Sequence, residues 1–359
     1  MKNHPGSNSS TVLAIRLRLL GDVLATLGTL RALKTAAPGH RLVFVVDSHY
    51  HGLLKNVGYI DMLLPQPPKF HGLSGALAYE RYVEHIRNLN PTHALDFHSN
   101  TRSAILAYLS GAPVRVGFDV RIRKMLYTDV EPRAEFRNGR PLPRTSHESA
   151  LALVRRSGFA GVDGPAGNTI PVTKERAAEG ANALRRAGVA AAAIERGRVI
   201  GLNPGNPYPA KAWVEENWTK LAGMLTAGGR TVIVFWGPGE RTVAERIVER
   251  SGGGVHLAPA LALEAVPGAL ESLRLLVTID SGLKHLAVAV GGPTVTLFGP
   301  TNPYEWHMGG VGDRFLYEGV SCSPCRLKEC PIGQPCMRQI VPERVLEEIR
   351  AVEELDTEL

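Results

Sequence analysis

No run of apolar residues in this 359-residue sequence is long enough to span a bilayer. The first ten residues, MKNHPGSNSS, lack the apolar core of a secretory signal; they are expected to form a flexible leader, and the protein to be cytoplasmic. Cysteine is scarce. All four lie between Cys322 and Cys336, which excludes a chain-wide disulfide framework. Strong charge of one sign is missing too: 41 Lys and Arg against 34 Asp and Glu leave +7, which suits an anionic partner such as a phosphosugar, a lipid headgroup or nucleic acid without selecting one. What is present is a globular composition, 44% hydrophobic and 21% charged, in a chain long enough for two domains.

The richest stretch is residues 277–300, VTIDSGLKHLAVAVGGPTVTLFGP. An apolar run, 275–279, ends on Asp280. Ser281 and Gly282 follow, then a helical pattern through His285, Leu286, Ala289 and Val290. Gly291, Gly292 and Pro293 stop it, and 294–298 is apolar again. Strand, turn, helix, strand makes a βαβ unit, and open α/β sheets bind ligands at the carboxyl ends of their strands. A helix opening on Ser281-Gly282 offers free N–H groups and a positive dipole end, so an anion, phosphate foremost, is the expected guest.

The same alternation runs through the chain. In the first half, strands are expected at 11–17, 42–46, 60–64, 94–97 and 114–116, with helices after residue 22 and at 73–89, 102–109 and 147–156. Residues 119–144, rich in Arg, Lys and Pro without a clear period, read as a long functional loop or partly helical lid. The stretch 158–168, GFAGVDGPAGN, reads as an interdomain linker. Beyond it come helix 174–187, strand 199–202, helix 213–225, strand 231–235, helix 241–251, the βαβ unit and a final helix at 342–353. The expected architecture is α/β: two doubly wound, Rossmann-like domains, 11–165 and 166–341, after a leader 1–10 and before a C-terminal helix 342–359.

Several residues are placed for chemistry. Asp22, just past the first strand, suits a general base for an attacking hydroxyl, and equally a helix N-cap. Lys211, in NPYPAKAW, can neutralise a leaving phosphate or simply be solvated. Glu240, in FWGPGE, can accept ribose hydroxyl bonds or serve as a first-turn acid of the next helix. Asp280, Ser281, Gly282 and His285 cluster at the proposed anion site. Arg102, Arg115, Arg121, Arg123 and Lys124 offer charge to an acceptor phosphate or carboxylate, or form a solvated basic face. Cys322, Cys325, Cys330 and Cys336, spaced C-x2-C-x4-C-x5-C, are either ligands of a structural zinc or loop thiols.

Together the stretches IRLRLLGDVLATLGTLRALK (15–34), LDFHSNTRSAILAYLSGAPVRVGF (95–118), LNPGNPYPAKAW (202–213), FWGPGE (235–240), DSGLKHLAVAVGGPTVTLFGPTNP (280–303) and CSPCRLKECPIGQPCM (322–337) resemble the ADP-heptose:lipopolysaccharide heptosyltransferases, glycosyltransferase family 9. The resemblance implies a GT-B fold with an interdomain cleft. It assigns the general base to Asp22, donor phosphate to Lys211, the nucleoside to Glu240, and ADP to Asp280, Ser281, Gly282 and His285. It also implies inverting transfer that needs no metal or other cofactor. Three departures stand out: Arg18 and Leu19 before Leu-Gly-Asp, Gly28 for a helix-start proline, and Leu283-Lys284 before the histidine. They raise the option of a phosphate side rebuilt around Lys284 or Arg18. The expected function is heptose transfer from ADP-heptose to a lipid A-core acceptor, at the inner membrane face and without nucleic acid. The alternatives are another nucleotide sugar on the same fold, or a nucleotide-binding module without catalysis.

Overall fold

The runs TVLAI, LLVTI and TVTLF are buried at every position. Strands covered on both faces read as continuous apolar runs and belong in parallel sheets flanked by helices, and both sheets here are of that kind. In the computed structural model, residues 10–69, 72–132, 136–137, 140–141, 144–164, 170–307, 309 and 312–355 are described. The expected leader, except Ser10, and residues 165–168 of the expected linker lie outside them. The chain divides into two compact units, Met1–Ala166 and Gly167–Leu359.

The first unit holds β1 (Thr11–Ile15), β2 (Arg41–Val46), β3 (Met62–Pro65), β4 (Pro91–Asp96), β5 (Val114–Phe118) and β6 (Asp129–Glu131), in the order β3-β2-β1-β4-β5-β6, all parallel. A two-residue antiparallel ribbon, β7 (Phe136–Arg137) with β8 (Arg140–Pro141), stands apart. The second unit repeats the scheme with β9 (Val199–Asn203), β10 (Thr231–Val234), β11 (Val255–Leu257), β12 (Leu275–Ile279), β13 (Thr294–Phe298) and β14 (Asp313–Tyr317), ordered β11-β10-β9-β12-β13-β14. In each sheet the winding reverses beside the first strand, between β1 and β4 and between β9 and β12. Helices leave opposite faces there, so a crevice opens outside the carboxyl ends of those two strands. Asp22 follows β1, and Asp280 to His285 follow β12.

The stretch 119–144 is more ordered than its composition suggests: it holds a 3₁₀ segment, Arg121–Leu126, strand β6 and the small ribbon. Helix Pro342–Leu355 packs on the second unit, where Val345, Leu346, Ile349 and Val352 enter the core with Trp218 and Leu316. Trp213 Nε1 donates to the Ile340 carbonyl at 2.9 Å and anchors the approach to it. In the same unit, helices Lys174–Arg186 and Val266–Glu271 touch backbone to backbone. A Cβ on Gly180 would lie 2.0 Å from the carbonyl carbon of Gly268, so glycine is required at that crossing. No helix among the described residues is long and apolar enough to cross a membrane.

Candidate functional site

At the β1–β4 switch point, β1 runs into a tight turn in which Leu19 takes φ 65°, and helix Leu20–Ala36 starts at once. Asp22 therefore sits inside the first helical turn. Its side chain caps nothing, which removes the N-cap reading. Instead Arg16 Nη2 lies 2.6 Å from Asp22 Oδ1, both side chains being 15% exposed. The other guanidinium nitrogen, Nη1, donates to the Phe97 carbonyl just past β4. Arg16 thus fastens the two strands at the crevice and fixes the carboxylate by one oxygen, leaving Oδ2 with no protein donor among the described residues.

The β4 end is rigid in its own right. Asp96 is fully buried, accepts the Tyr127 hydroxyl at 2.7 Å, and takes the His98 and Ser99 N–H groups at 3.0 and 2.8 Å. Burial pushes its carboxyl above the usual range against those bonds. Asn100 and Ser103 close a reciprocal capping box on helix Thr101–Leu109.

Of the expected acceptor residues, Arg121, Arg123 and Lys124 come together on the 3₁₀ segment. Lys124 lies 3.5 Å from Asp119, and Arg123 Nε is buried without a hydrogen-bond partner. Arg102 donates to the Pro67 carbonyl at 2.5 Å. Arg115 donates to the carbonyls of Ala112 and Leu126 and stacks over Tyr108, so its fork is occupied by the protein itself.

The second unit assembles a denser site between β9 and β12. Asn203, at the end of β9, donates to Thr278 Oγ1 at 3.0 Å and to Ser281 Oγ at 2.9 Å. Ser281 caps helix Gly282–Ala289 by accepting the Lys284 N–H. Asp280 is buried. Its Oδ2 takes Lys211 Nζ at 2.6 Å and Thr301 Oγ1 at 2.9 Å, and its backbone carbonyl takes Asn206 Nδ2 at 3.1 Å. Lys211 leads the attractive contacts that hold the carboxyl below its usual range, although burial acts the other way. An ammonium carries three donors. Two of those on Lys211 point at Asp280, at 2.6 and 3.3 Å, and one remains for a ligand.

His285 is buried, 4.0 Å from Asp280 Oδ1, with its ring edge-on to Trp306 at 5.7 Å. Burial first, and then the Lys284 cation, hold its imidazole down to about 3, so it is neutral at physiological pH. Its Nδ1 has no hydrogen-bond partner among the described residues. Lys284 itself is fully buried and donates to the Trp306 carbonyl at 2.6 Å. Glu240 occupies the N-cap position of helix Arg241–Ser251 without capping it, and accepts the Gly237 N–H at 2.8 Å. A Cβ on Gly205 would lie 2.1 Å from Glu240 Oε2, so the carboxylate lies directly against the loop after β9.

The cysteine loop docks on this site. Ala210 N–H donates to the Lys328 carbonyl at 2.9 Å, Arg326 N–H to the Pro300 carbonyl at 2.7 Å, and Gln334 Nε2 to the Pro209 carbonyl. All four thiols are free. Burial, and then Cys322, Cys325 and Cys330 as neighbours, push the Cys336 thiol up. Yet among the described residues no group of three His, Cys, Asp or Glu is disposed to hold a metal ion. As they stand the thiols do not fit the tetrahedral zinc considered from their spacing: Cys322 and Cys325 are exposed, while Cys336 is buried against Gly299.

Arg16 and Asn206 lie inside the stretches that carry the resemblance without standing out in them, and Trp306 lies outside those stretches. Asn203 was visible only as an Asn-Pro-Gly strand end, and Thr301 as the residue after Gly-Pro.

The profile described as glycosyltransferase family 9 (heptosyltransferase) matches residues 80–335. Lipopolysaccharide heptosyltransferase 1 of Pseudomonas aeruginosa is 25% identical, across 95% of this chain and 97% of that protein. A glycosyl transferase family 9 structure from Veillonella parvula superposes with TM-score 0.79 at 21% identity, covering 96% of this chain and 99% of that one. A heptosyltransferase from Escherichia coli solved with ADP superposes with TM-score 0.73 at 21% identity, covering 95% and 99%. Each superposition covers at least 95% of this chain, so the likeness takes in both of its parallel six-stranded sheets.

Proposed function

Because the chain belongs to glycosyltransferase family 9, the heptosyltransferase family, we propose that it moves a heptose from ADP-heptose to an inner-core acceptor of lipopolysaccharide, with inversion and without a metal ion. The observation that carries this reading is the arrangement at the β9–β12 switch point: a lysine fixed by Asp280, with one donor left over, beside the open N-terminus of helix Gly282–Ala289. Backbone N–H groups and a cation converging on one crevice suit a diphosphate. The names of the relatives support the sugar and the product.

The chemistry divides between the units. Asp22 Oδ2 accepts the proton of the acceptor hydroxyl as that oxygen bonds to the anomeric carbon. The bond from that carbon to the ADP oxygen breaks, and its electron pair leaves on the diphosphate. Lys211 and the helix N-terminus stabilise that charge, the electrostatic contribution expected to be large in a water-poor site. His285, being neutral, acts there as a hydrogen-bonding group and not as a cation. Glu240 offers Oε1 to the ribose hydroxyls while Gly237 occupies Oε2. The acceptor is lipid-anchored, so the protein works in the cytoplasm at the inner face of the membrane. The cysteine loop is a structural clasp on the Lys211 loop and takes no part in transfer.

Purified protein given ADP-heptose and heptose-free core acceptor should release ADP and extend the acceptor by one heptose, read by mass spectrometry. The same rate in EDTA is expected. Turnover with a different nucleotide sugar only would replace the donor, and no turnover with any sugar donor would leave a binding module.

A further inference from the structure

The 3₁₀ segment Arg121–Leu126, RIRKML, follows β5. At three residues per turn, side chains three apart eclipse, so the six residues fall on three faces. Ile122 and Met125 form one, and they are 81% and 78% exposed. Arg121 and Lys124 form the second, also exposed. Arg123 and Leu126 form the third, which turns inward, Leu126 packing against the core of the first unit. A large apolar pair held in water beside a basic pair is an unusual use of surface. Arg121 holds it there in a left-handed conformation, φ 44°, which a residue with a side chain adopts only at an energetic cost.

The segment has neighbours of the same character. Leu19, after β1, is 60% exposed, and Leu73, in the first turn of helix Gly72–Asn88, the next helix after β3, is 80% exposed. Arg18 and Lys69 stand exposed beside them. All follow the carboxyl ends of strands of one sheet, so one edge of the first unit carries both bulky apolar tips and positive charge. Asp119, 3.5 Å from Lys124, is the acid paired with the segment.

We propose that this edge docks on an anionic bilayer, Ile122 and Met125 entering the boundary between headgroups and acyl chains while Arg121 and Lys124 meet lipid phosphates. The charge selects the occupant. A second copy would oppose like charges along the edge, whereas an anionic leaflet attracts basic residues and accepts apolar ones at the same depth. The inference rests on the reading of a lipid-anchored acceptor and names the surface by which the enzyme approaches it.

Sedimentation of the full-length protein with vesicles tests this. Wild type should bind vesicles of phosphatidylcholine with phosphatidylglycerol and leave vesicles of phosphatidylcholine alone. The double variant Ile122→Ser, Met125→Ser should bind the anionic vesicles ~10-fold more weakly or worse, from the loss of two partly inserted side chains. Both positions face solvent, so its melting profile should match wild type, as should its turnover of a water-soluble, deacylated acceptor. Equal vesicle binding by variant and wild type overturns the proposal. So does binding that ignores lipid charge, or a wild-type dimer that the double variant abolishes. If wild type ignores vesicles yet glycosylates the soluble acceptor, the docking surface is wrong and the enzymatic reading survives. If it binds vesicles and transfers no sugar, the reverse holds.

Discussion

Asp22 shows what a single neighbour adds. From the sequence it fits a base or a helix cap; in the structure it caps nothing, and the Arg16 guanidinium lies 2.6 Å from Oδ1. Arg16 itself could not be picked out, because its reach to Asp22 depends on the turn at Leu19, φ 65°, and left-handed turns at leucine leave no compositional mark. Asp22→Asn should lower turnover by ~10²–10⁴ while ADP still binds, the usual loss on removing a general base. Arg16→Gln should lower kcat by ~10², the scale of a displaced catalytic group, with unchanged ADP affinity by calorimetry. Near-normal kcat in Arg16→Gln would make the pair a mere strand fastener. Lost ADP affinity beside lost kcat would mean that the substitution disturbs more than Asp22.

Among elements, legibility followed burial. Strands β1, β12 and β13 are mostly Val, Leu and Ile, with threonine as their only polar residue, because both faces are covered, and their sequences show it. Strands β6 (DVE), β11 (VHL) and β14 (DRFLY) lie at sheet edges and mix polar and apolar residues, so their sequences do not mark them as strands. The cysteine loop was visible as a motif, but its spacing carried no information on where it docks. Its bonds to the Lys211 loop and to Pro300 are made by backbone groups and Gln334, which any sequence could supply. Cys336→Ser should therefore lower stability by ~1–3 kcal/mol, since a hydroxyl would replace a buried thiol without an assured partner. Cys322→Ser and Cys325→Ser, at exposed positions, should stay within ~0.5 kcal/mol. Denaturant unfolding measures all three, and turnover of the folded fraction should not change. Metal analysis under reducing conditions accompanies it: about one zinc per chain would mean that the loop closes round an ion in solution. A stable variant with turnover selectively lost would move the loop into catalysis.

On the scale of the whole molecule, the doubled βαβ plan, with Asp22 after β1 and Asp280 after β12, is the most legible feature, because strand alternation and chain order determine it. The electrostatic difference between the units was hidden, since it depends on which groups are buried. His285 is ordinarily near 6.5 but held to about 3. Between those values the unfolded chain binds a proton that the folded unit refuses, so stability falls as pH drops through that window. Asp280 and His307, also lowered, act in the same sense at their own values. Asp96 in the first unit and Glu240 in the second are raised by burial and act oppositely. His93 lends the first unit a smaller share of the acid-sensitive kind. The second unit should thus open first on acidification below about pH 6.5, seen as faster hydrogen exchange in its peptides; earlier opening of the first unit would contradict this balance. Trp306 turns the same packing into an instrument. All four tryptophans, Trp213, Trp218, Trp236 and Trp306, belong to the second unit, and Trp306 alone stands edge-on to His285, braced through its carbonyl by Lys284. If donor binds beside His285 as proposed, the indole emission should follow it in the unlabelled protein, while the unit that holds Asp22 contributes no tryptophan signal.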